Sequence, residues 1–403
     1  MRTSVIWVAA ILVLVAIGFL MACSSKYSAA NNGLVVVPTQ GSAVMQTFNL
    51  DLANGHLSQI NNVNGPPTNG VPTSVVLDPA GAFAYMIVSA NPAVTNSATG
   101  IQTFQVASDG KLSPIGTTPT SNPSALAIDS AGKFLFVADA IDGSVSVFSI
   151  GSNAALTAVG APTVLPAQGG RGQAPSASAL AVTPTVYPPL YAACSGQTPP
   201  TTENLYVTDS NNYVVVNYSI GSTGALTLVP NGTTTGVATG SVPSGVAVDP
   251  CNRFVYVANG NPNNSVSAYT ICTSPSVAPP LCAHGDFSLN PVTGSPFAIS
   301  PGDGAGPIAV DPYARSVYVV DTASSELSAF KISASNGALT VIGTYATGQG
   351  ANSIAIRSDD VWVFVANSTS STLSQYAITP ATGALTPQPT TTTFNIPSGV
   401  AVK

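Results

Sequence analysis

One phrase recurs along this chain and limits what it can fold into. It is a small-residue turn, an apolar strand, Asp-Pro-x-x-x, and a second apolar strand ending in Asp or Asn. Its clearest copy runs from Pro243 to Asn259 (Pro-Ser-Gly-Val-Ala-Val-Asp-Pro-Cys-Asn-Arg-Phe-Val-Tyr-Val-Ala-Asn), with variants from Pro123 to Asp139 and from Pro307 to Asp321. A repeat of roughly 40–50 residues holding several short strands is the sequence signature of a β-propeller blade.

Each unit reads as four strands, A to D, which alternate apolar and polar residues or run apolar where both faces are buried. The Asp-Pro-x-Gly pattern is turn chemistry: Pro fixes φ, and Gly or Asn accepts a positive φ. Strand A is expected at Ser74–Leu77, Ala125–Ile128, Ala179–Val182, Gly245–Val248, Ile308–Val310 and Ser353–Ile356, which makes six full units. Ahead of them, Leu34–Val37, Ala43–Asn49 and His56–Ile60 read as strands B, C and D without an A, while Ile396-Pro-Ser-Gly-Val-Ala-Val402 is a strand A phrase with nothing after it. The expectation is an all-β, seven-bladed propeller over residues 33–403 with four-stranded antiparallel blades, the first blade closed by the C-terminal strand. Closure removes the open sheet edges that invite aggregation.

Charged residues make up only 6% of the chain and the net charge is −6, against roughly 25% charged in average soluble domains. Ser, Thr, Asn, Gly and Gln must cover the surface. A chain this poor in Lys and Arg lacks the basic footprint that nucleic-acid binding requires. Past the N-terminus, no apolar run is long enough to span a bilayer.

At the N-terminus, Arg2 precedes an apolar stretch from Val5 to Leu20 and then Leu20-Met21-Ala22-Cys23. This resembles the lipobox of bacterial lipoproteins, which implies a signal peptide over 1–22, lipidation of Cys23 and a linker over 23–32. The resemblance further implies a protein tethered outside the cytoplasm to the cell envelope by the lipid alone, at the outer membrane if the host has two membranes. Four further cysteines, Cys194, Cys251, Cys272 and Cys282, suit an oxidising compartment and two disulfides, for which three connectivities exist. Cys272 and Cys282 flank one loop and are paired here, which leaves Cys194 with Cys251. Their spacings match no familiar zinc motif.

Leu205-Tyr-Val-Thr-Asp209, Val255-Tyr-Val-Ala-Asn259 and Val363-Phe-Val-Ala-Asn367 resemble the Tyr-Val-Thr-Asn signature of bacterial surface propellers. The whole layout is similar to the seven-bladed lactonase family, which includes phosphogluconolactonases and muconate-cyclising enzymes. The resemblance implies acid–base and anion-binding side chains near the central channel, on the face shared by the B–C and D–A loops. Both histidines fall elsewhere: His56 in a C–D turn and His284 in a C–D loop. No family catalytic residue carries over by motif.

On the channel-facing loops, strand B ends at Asp139, Asp209 and Asp321, with Asn259 and Asn367 in equivalent places; Asp142, Asp303 and Glu326 lie nearby. Such residues cap turns by accepting from backbone amides. As ligands they could instead form a ring of oxygens for Ca²⁺ or Mg²⁺, although no cofactor is required by the sequence. Arg171, in Gln168-Gly-Gly-Arg-Gly-Gln173, is a candidate for binding a carboxylate or phosphate. The expectation for function is a monomeric binding or scaffold propeller for an envelope protein or glycan; the alternative is a lactonase-like hydrolase of a sugar or aromatic lactone. The latter would have to use Asp139, Asp209 or Asp321 together with Arg171.

Overall fold

A computed structural model describes residues 32–60, 70–90, 99–167, 171–185, 194, 200–273, 287–299, 304–393 and 395–403. The expected signal peptide, Cys23, the expected linker up to residue 31, Cys282, His284 and Asp303 lie outside the described residues. The chain forms seven antiparallel sheets, each ordered D-C-B-A. Blade 1 takes strand A from the C-terminus (Ala401–Val402) and strands B, C and D from Asn32–Thr39, Val44–Asp51 and Leu57–Gln59. Strands A and B of the other blades are Val71–Leu77 and Phe83–Ser89 in blade 2, Pro123–Ile128 and Phe134–Asp139 in blade 3, and Ala177–Val182 and Asn204–Asp209 in blade 4. Blades 5, 6 and 7 have Pro243–Val248 and Phe254–Asn259, Ala305–Val310 and Ser316–Asp321, and Ala351–Ile356 and Trp362–Asn367. Each strand A ends its sheet and contacts strand A of the next blade, so the seven A strands form the inner ring.

The core is not one mass but a seam between each pair of neighbours. Tyr256, Val266, Val317, Val319 and Phe330 fill the seam of blades 5 and 6, and Val35, Val37, Phe48, Phe364 and Leu373 fill that of blades 7 and 1. Because every sheet is packed on both faces, strands B and C read as near-continuous apolar runs rather than as alternating ones.

Strand A begins about two residues earlier than the sequence suggests. Its pairing with strand B slips at Pro123/Ala125, Pro243/Gly245 and the equivalent places, which marks a β-bulge. The bulged serine is therefore not turn filler, because a bulge re-aims its side chain. Ser124 Oγ donates to Ala177 O at 2.8 Å, Ser178 Oγ to Pro243 O at 2.8 Å, Ser244 Oγ to Ala305 O at 2.7 Å and Ser398 Oγ to Pro72 O at 2.8 Å. Asn352 Nδ2 does the same toward Pro397 O at 3.1 Å. Each bond ties one blade to the next around the channel.

A second set of bonds ties the blades further out. Tyr256 Oη donates to Gly337 O at 3.1 Å and Tyr318 Oη to Gly383 O at 2.9 Å, both in the C–D turn of the following blade. These tyrosines sit opposite Ala268 and Ala329 on strand C. In blade 7 the partners are Phe364 and Gln375, and the donor moves across the pair: Gln375 Nε2 reaches Gly55 O at 2.7 Å. The receiving glycines take φ of +75°, +72° and +76° at Gly337, Gly383 and Gly55. A Cβ on Gly55 would lie 2.3 Å from the Trp362 ring, so both backbone and space require glycine there.

Cys194, in the segment inserted between strands A and B of blade 4, is disulfide-bonded to Cys251 in the A–B turn of blade 5, with Cα atoms 5.2 Å apart. Cys272 is disulfide-bonded as well.

Candidate functional site

On the B–C and D–A face, the strand-end carboxylates are buried and each serves its own turn. Asp139, 4% exposed, accepts from the amides of Ile141 and Asp142 at 3.0 and 2.9 Å. Asp209 is fully buried; its Oδ1 accepts from the amides of Ser176, Asn211 and Asn212, and its Oδ2 from Asn212 Nδ2 at 2.7 Å. Asp321 Oδ1 takes the Ser324 amide at 3.0 Å. Asn259 and Asn367 occupy the equivalent places and bond to serines and a threonine of their own blades. Asp139, Asp209 and Asp321 thus stand in separate blades, and among the described residues no three His, Cys, Asp or Glu side chains converge to hold a metal. Arg171 is exposed and stacks its guanidinium 3.8 Å from the centroid of Tyr213, a cation–π contact that fixes the charge on the blade 4 loops.

The A–B face carries more of the buried charge. Its turn aspartates come from the recurring Asp-Pro phrase. Asp249, fully buried, accepts from the Cys251 amide at 2.6 Å and pairs with Arg253 Nε at 2.7 Å. Asp311 accepts from the Tyr313 amide at 2.7 Å, and Arg315 pairs with Asp360 of the next blade. Burial pushes Asp249 up to about 6 in spite of Arg253, and raises Asp311 in the same way.

A carboxyl group whose folded pKa is raised binds its proton more tightly in the native state than in the unfolded chain. It therefore adds stability as pH falls through about 6 toward the ordinary carboxylate range, and loses it as pH rises through the folded value. The protein is expected to melt at a higher temperature at pH 5 than at pH 8, and Asp249→Asn should flatten that dependence. Thermal melts of both proteins across this range check it; a melting temperature that climbs toward pH 8 would contradict it.

Between the A–B turns of blades 3 and 4 sits a group the sequence reading did not single out. Glu203, 8% exposed, immediately precedes strand B of blade 4. Its Oε1 accepts from the Ser130 amide at 3.0 Å and from the Ser130 hydroxyl, which also lies 2.9 Å from Thr185 Oγ1. Asp129, 3% exposed, follows directly on strand A of blade 3 and accepts from the amides of Lys133 and Phe134 at 2.6 and 2.7 Å. Burial raises both carboxyls; the Asp129 charge adds to the effect on Glu203, and Lys133 opposes it. A buried, proton-hungry carboxyl coupled to a second carboxylate, two hydroxyls and a lysine is equipped for proton transfer. The available signal was its rarity: Glu203 is one of two glutamates in the chain, at the end of the inserted segment.

Seven radial four-stranded sheets around a channel define the class of the protein as a propeller. The sequence model of the family described as "Lactonase, 7-bladed beta-propeller" matches residues 31–184 and 282–403. The chain belongs to this family. The match is interrupted over the part that carries Cys194, Cys251 and Cys272. No curated protein matches the chain. Among solved structures it is similar to a candidate 6-phosphogluconolactonase from Bacteroides fragilis (19% identity, 94% of this chain and 100% of that one, TM-score 0.72). It is also similar to the periplasmic gluconolactonase of Pseudomonas aeruginosa (17% identity, 92% and 98% covered, TM-score 0.71). At these identities the likeness shows the fold.

Proposed function

We propose that the protein is a lactone hydrolase of the cell envelope acting on an uncharged sugar lactone, with Glu203 as its general base. The observation that carries this reading is the buried Glu203 carboxyl, bonded to Ser130 and set beside Asp129 between two blades of a lactonase-family propeller. Opening a lactone requires a base to take a proton from water as it attacks the ring carbonyl, and an acid to return a proton to the departing ring oxygen. A carboxyl with a raised pKa can do both in turn. Lys133 supplies a positive charge for the tetrahedral oxyanion. Asp129 and Glu203 oppose a phosphorylated substrate, whose added negative charge they would repel. The lipid anchor on Cys23 would place the reaction outside the cytoplasm.

The test is hydrolysis of glucono-1,5-lactone, galactono-1,4-lactone and a 6-phosphorylated lactone, followed in a pH-stat against the spontaneous rate. Turnover of the neutral lactones is expected, with kcat lowered about 100-fold or more by Glu203→Gln and little changed by Arg171→Ala. Loss of activity in Arg171→Ala with Glu203→Gln intact would move the site to the opposite face. No turnover of any lactone would leave the binding or scaffold role, for a protein or glycan partner, as the working function.

A further inference from the structure

At the outer rim, the seam where the ring closes holds a groove of about 490 Å³ between the C–D turn of blade 1 and strand D of blade 7. Its polar lining is Asn54, His56, Gln375, Gln388, Thr390 and Thr391, with Leu57 and Pro389 as apolar surface, and no charged side chain lines it. We propose that this groove binds a neutral saccharide.

The groove follows from how this seam is built. Where blades 5 and 6 place tyrosine opposite alanine, blade 7 places Phe364 opposite Gln375. Gln375 is 97% buried, given its 3% exposure, and its amide is oriented by the bond from Nε2 to Gly55 O at 2.7 Å. That bond holds the side-chain amide of Gln375, a lining residue of the groove, in one orientation against the Gly55 turn. The backbone N–H of Gln388 donates to the backbone oxygen of Gln375 at 2.8 Å. Strand D of blade 7 is broken into Leu385–Pro387 and Thr391–Thr392, so Gln388, Pro389 and Thr390 leave the sheet and form the groove wall. The Gly55 turn rests on the Trp362 ring and is held from Asp51 by Asn54 Nδ2 at 2.8 Å.

The lining selects its ligand class by chemistry. The imidazole of His56, the amide of Gln388 and the hydroxyls of Thr390 and Thr391 are neutral donors and acceptors gathered on one groove, a chemistry that matches sugar hydroxyls. Leu57 and Pro389 suit the C–H face of a pyranose ring. Phosphates, carboxylates and cationic peptides would lose hydration in this groove without gaining a counter-charge. The volume lies in the range of small-molecule sites.

The experiment uses the soluble chain from Ser24 with maltotriose, cellotriose and chitotriose in calorimetric titrations, and co-sedimentation with purified peptidoglycan sacculi to distinguish a free sugar from a wall glycan. Binding of a neutral trimer, of sacculi or of both is expected. Gln388→Ala and His56→Ala, both at turn positions outside the seam core, should weaken it about fivefold or more while leaving the melting temperature in place. A trigalacturonate probe should bind less well than the neutral trimers. No binding by any neutral probe, or binding that neither variant weakens, would overturn the proposal. Lactone turnover is read separately, and Glu203→Gln should retain saccharide binding, so this inference and the proposed activity can fail independently.

Discussion

Removal of residues 397–403 is expected to abolish cooperative folding of the protein. This segment is the fourth strand of blade 1, pairing Ala401 with Val36 and Val402 with Val35. Reciprocal bonds join Leu34 and Lys403 at 2.9 Å each way, and the Ser398 amide donates to Pro38 O at 2.9 Å. Val400 and Ala401 are also buried, Val400 in the seam of blades 7 and 1 and Ala401 in that of blades 1 and 2. Several backbone bonds at about 1 kcal/mol each, together with two side chains at seam centres, sum to a large part of the roughly 5–15 kcal/mol that holds an ordinary domain folded. The deletion also exposes the Asn32–Thr39 edge, whose Val35, Val36 and Val37 are fully buried in the intact ring, and an open apolar edge recruits other chains. The truncated protein should lack a cooperative melt and form soluble aggregates by light scattering. A sharp transition within a few degrees of the intact protein would mean that the ring does not depend on this closure.

The second large effect concerns the Cys194–Cys251 disulfide. Its two residues are 57 apart in sequence, and closing a loop of that length restricts the unfolded chain by an amount worth about 4 kcal/mol on the chain-entropy account. It also ties Cys194, between strands A and B of blade 4, to the A–B turn of blade 5, and the two cysteines form one buried cluster with Ala314 of blade 6. The double variant Cys194→Ser, Cys251→Ser should therefore unfold at a markedly lower denaturant midpoint, with a somewhat steeper slope because its unfolded chain is less restricted. Reductant should lower the midpoint of the intact protein further than that of the variant, because part of the reducible stability has already gone. Equal midpoints for the variant and the intact protein would assign the bond no share in stability. Glu203 follows Cys194 closely in sequence, so the variant also tests whether the proposed lactone turnover depends on this bond.

Most of the fold was legible because a propeller repeats its local chemistry. Turn residues at fixed offsets and paired apolar runs fixed the blade count. The orphan strand phrase at each end of the chain implied the closure that Val36 and Ala401 make. The site was much less legible. Asp139, Asp209 and Asp321 recur at one position of the repeat and each accepts from amides of its own turn, so recurrence by itself did not separate a turn cap from a ligand. Glu203 does not recur, and its raised pKa comes from burial and, secondarily, from the Asp129 charge of the neighbouring blade, against the opposing hydrogen bonds from Ser130. No local pattern reports such a neighbour.

The bulged serines and the seam donors divide in the same way. The sequence by itself determined that Ser124, Ser178, Ser244 and Ser398 occupy one position of the repeat, and that Tyr256 and Tyr318 share another. Only the tertiary structure decided that these side chains bond across to the next blade, and that Gln375 replaces the tyrosine hydroxyl where the ring closes and opens a groove there. The physical reason is that propensity and turn chemistry act over a few residues, whereas the contacts that shape a site join atoms from different blades. Among them are pairs as far apart in the chain as Gln375 and Gly55, which meet only once the ring has closed.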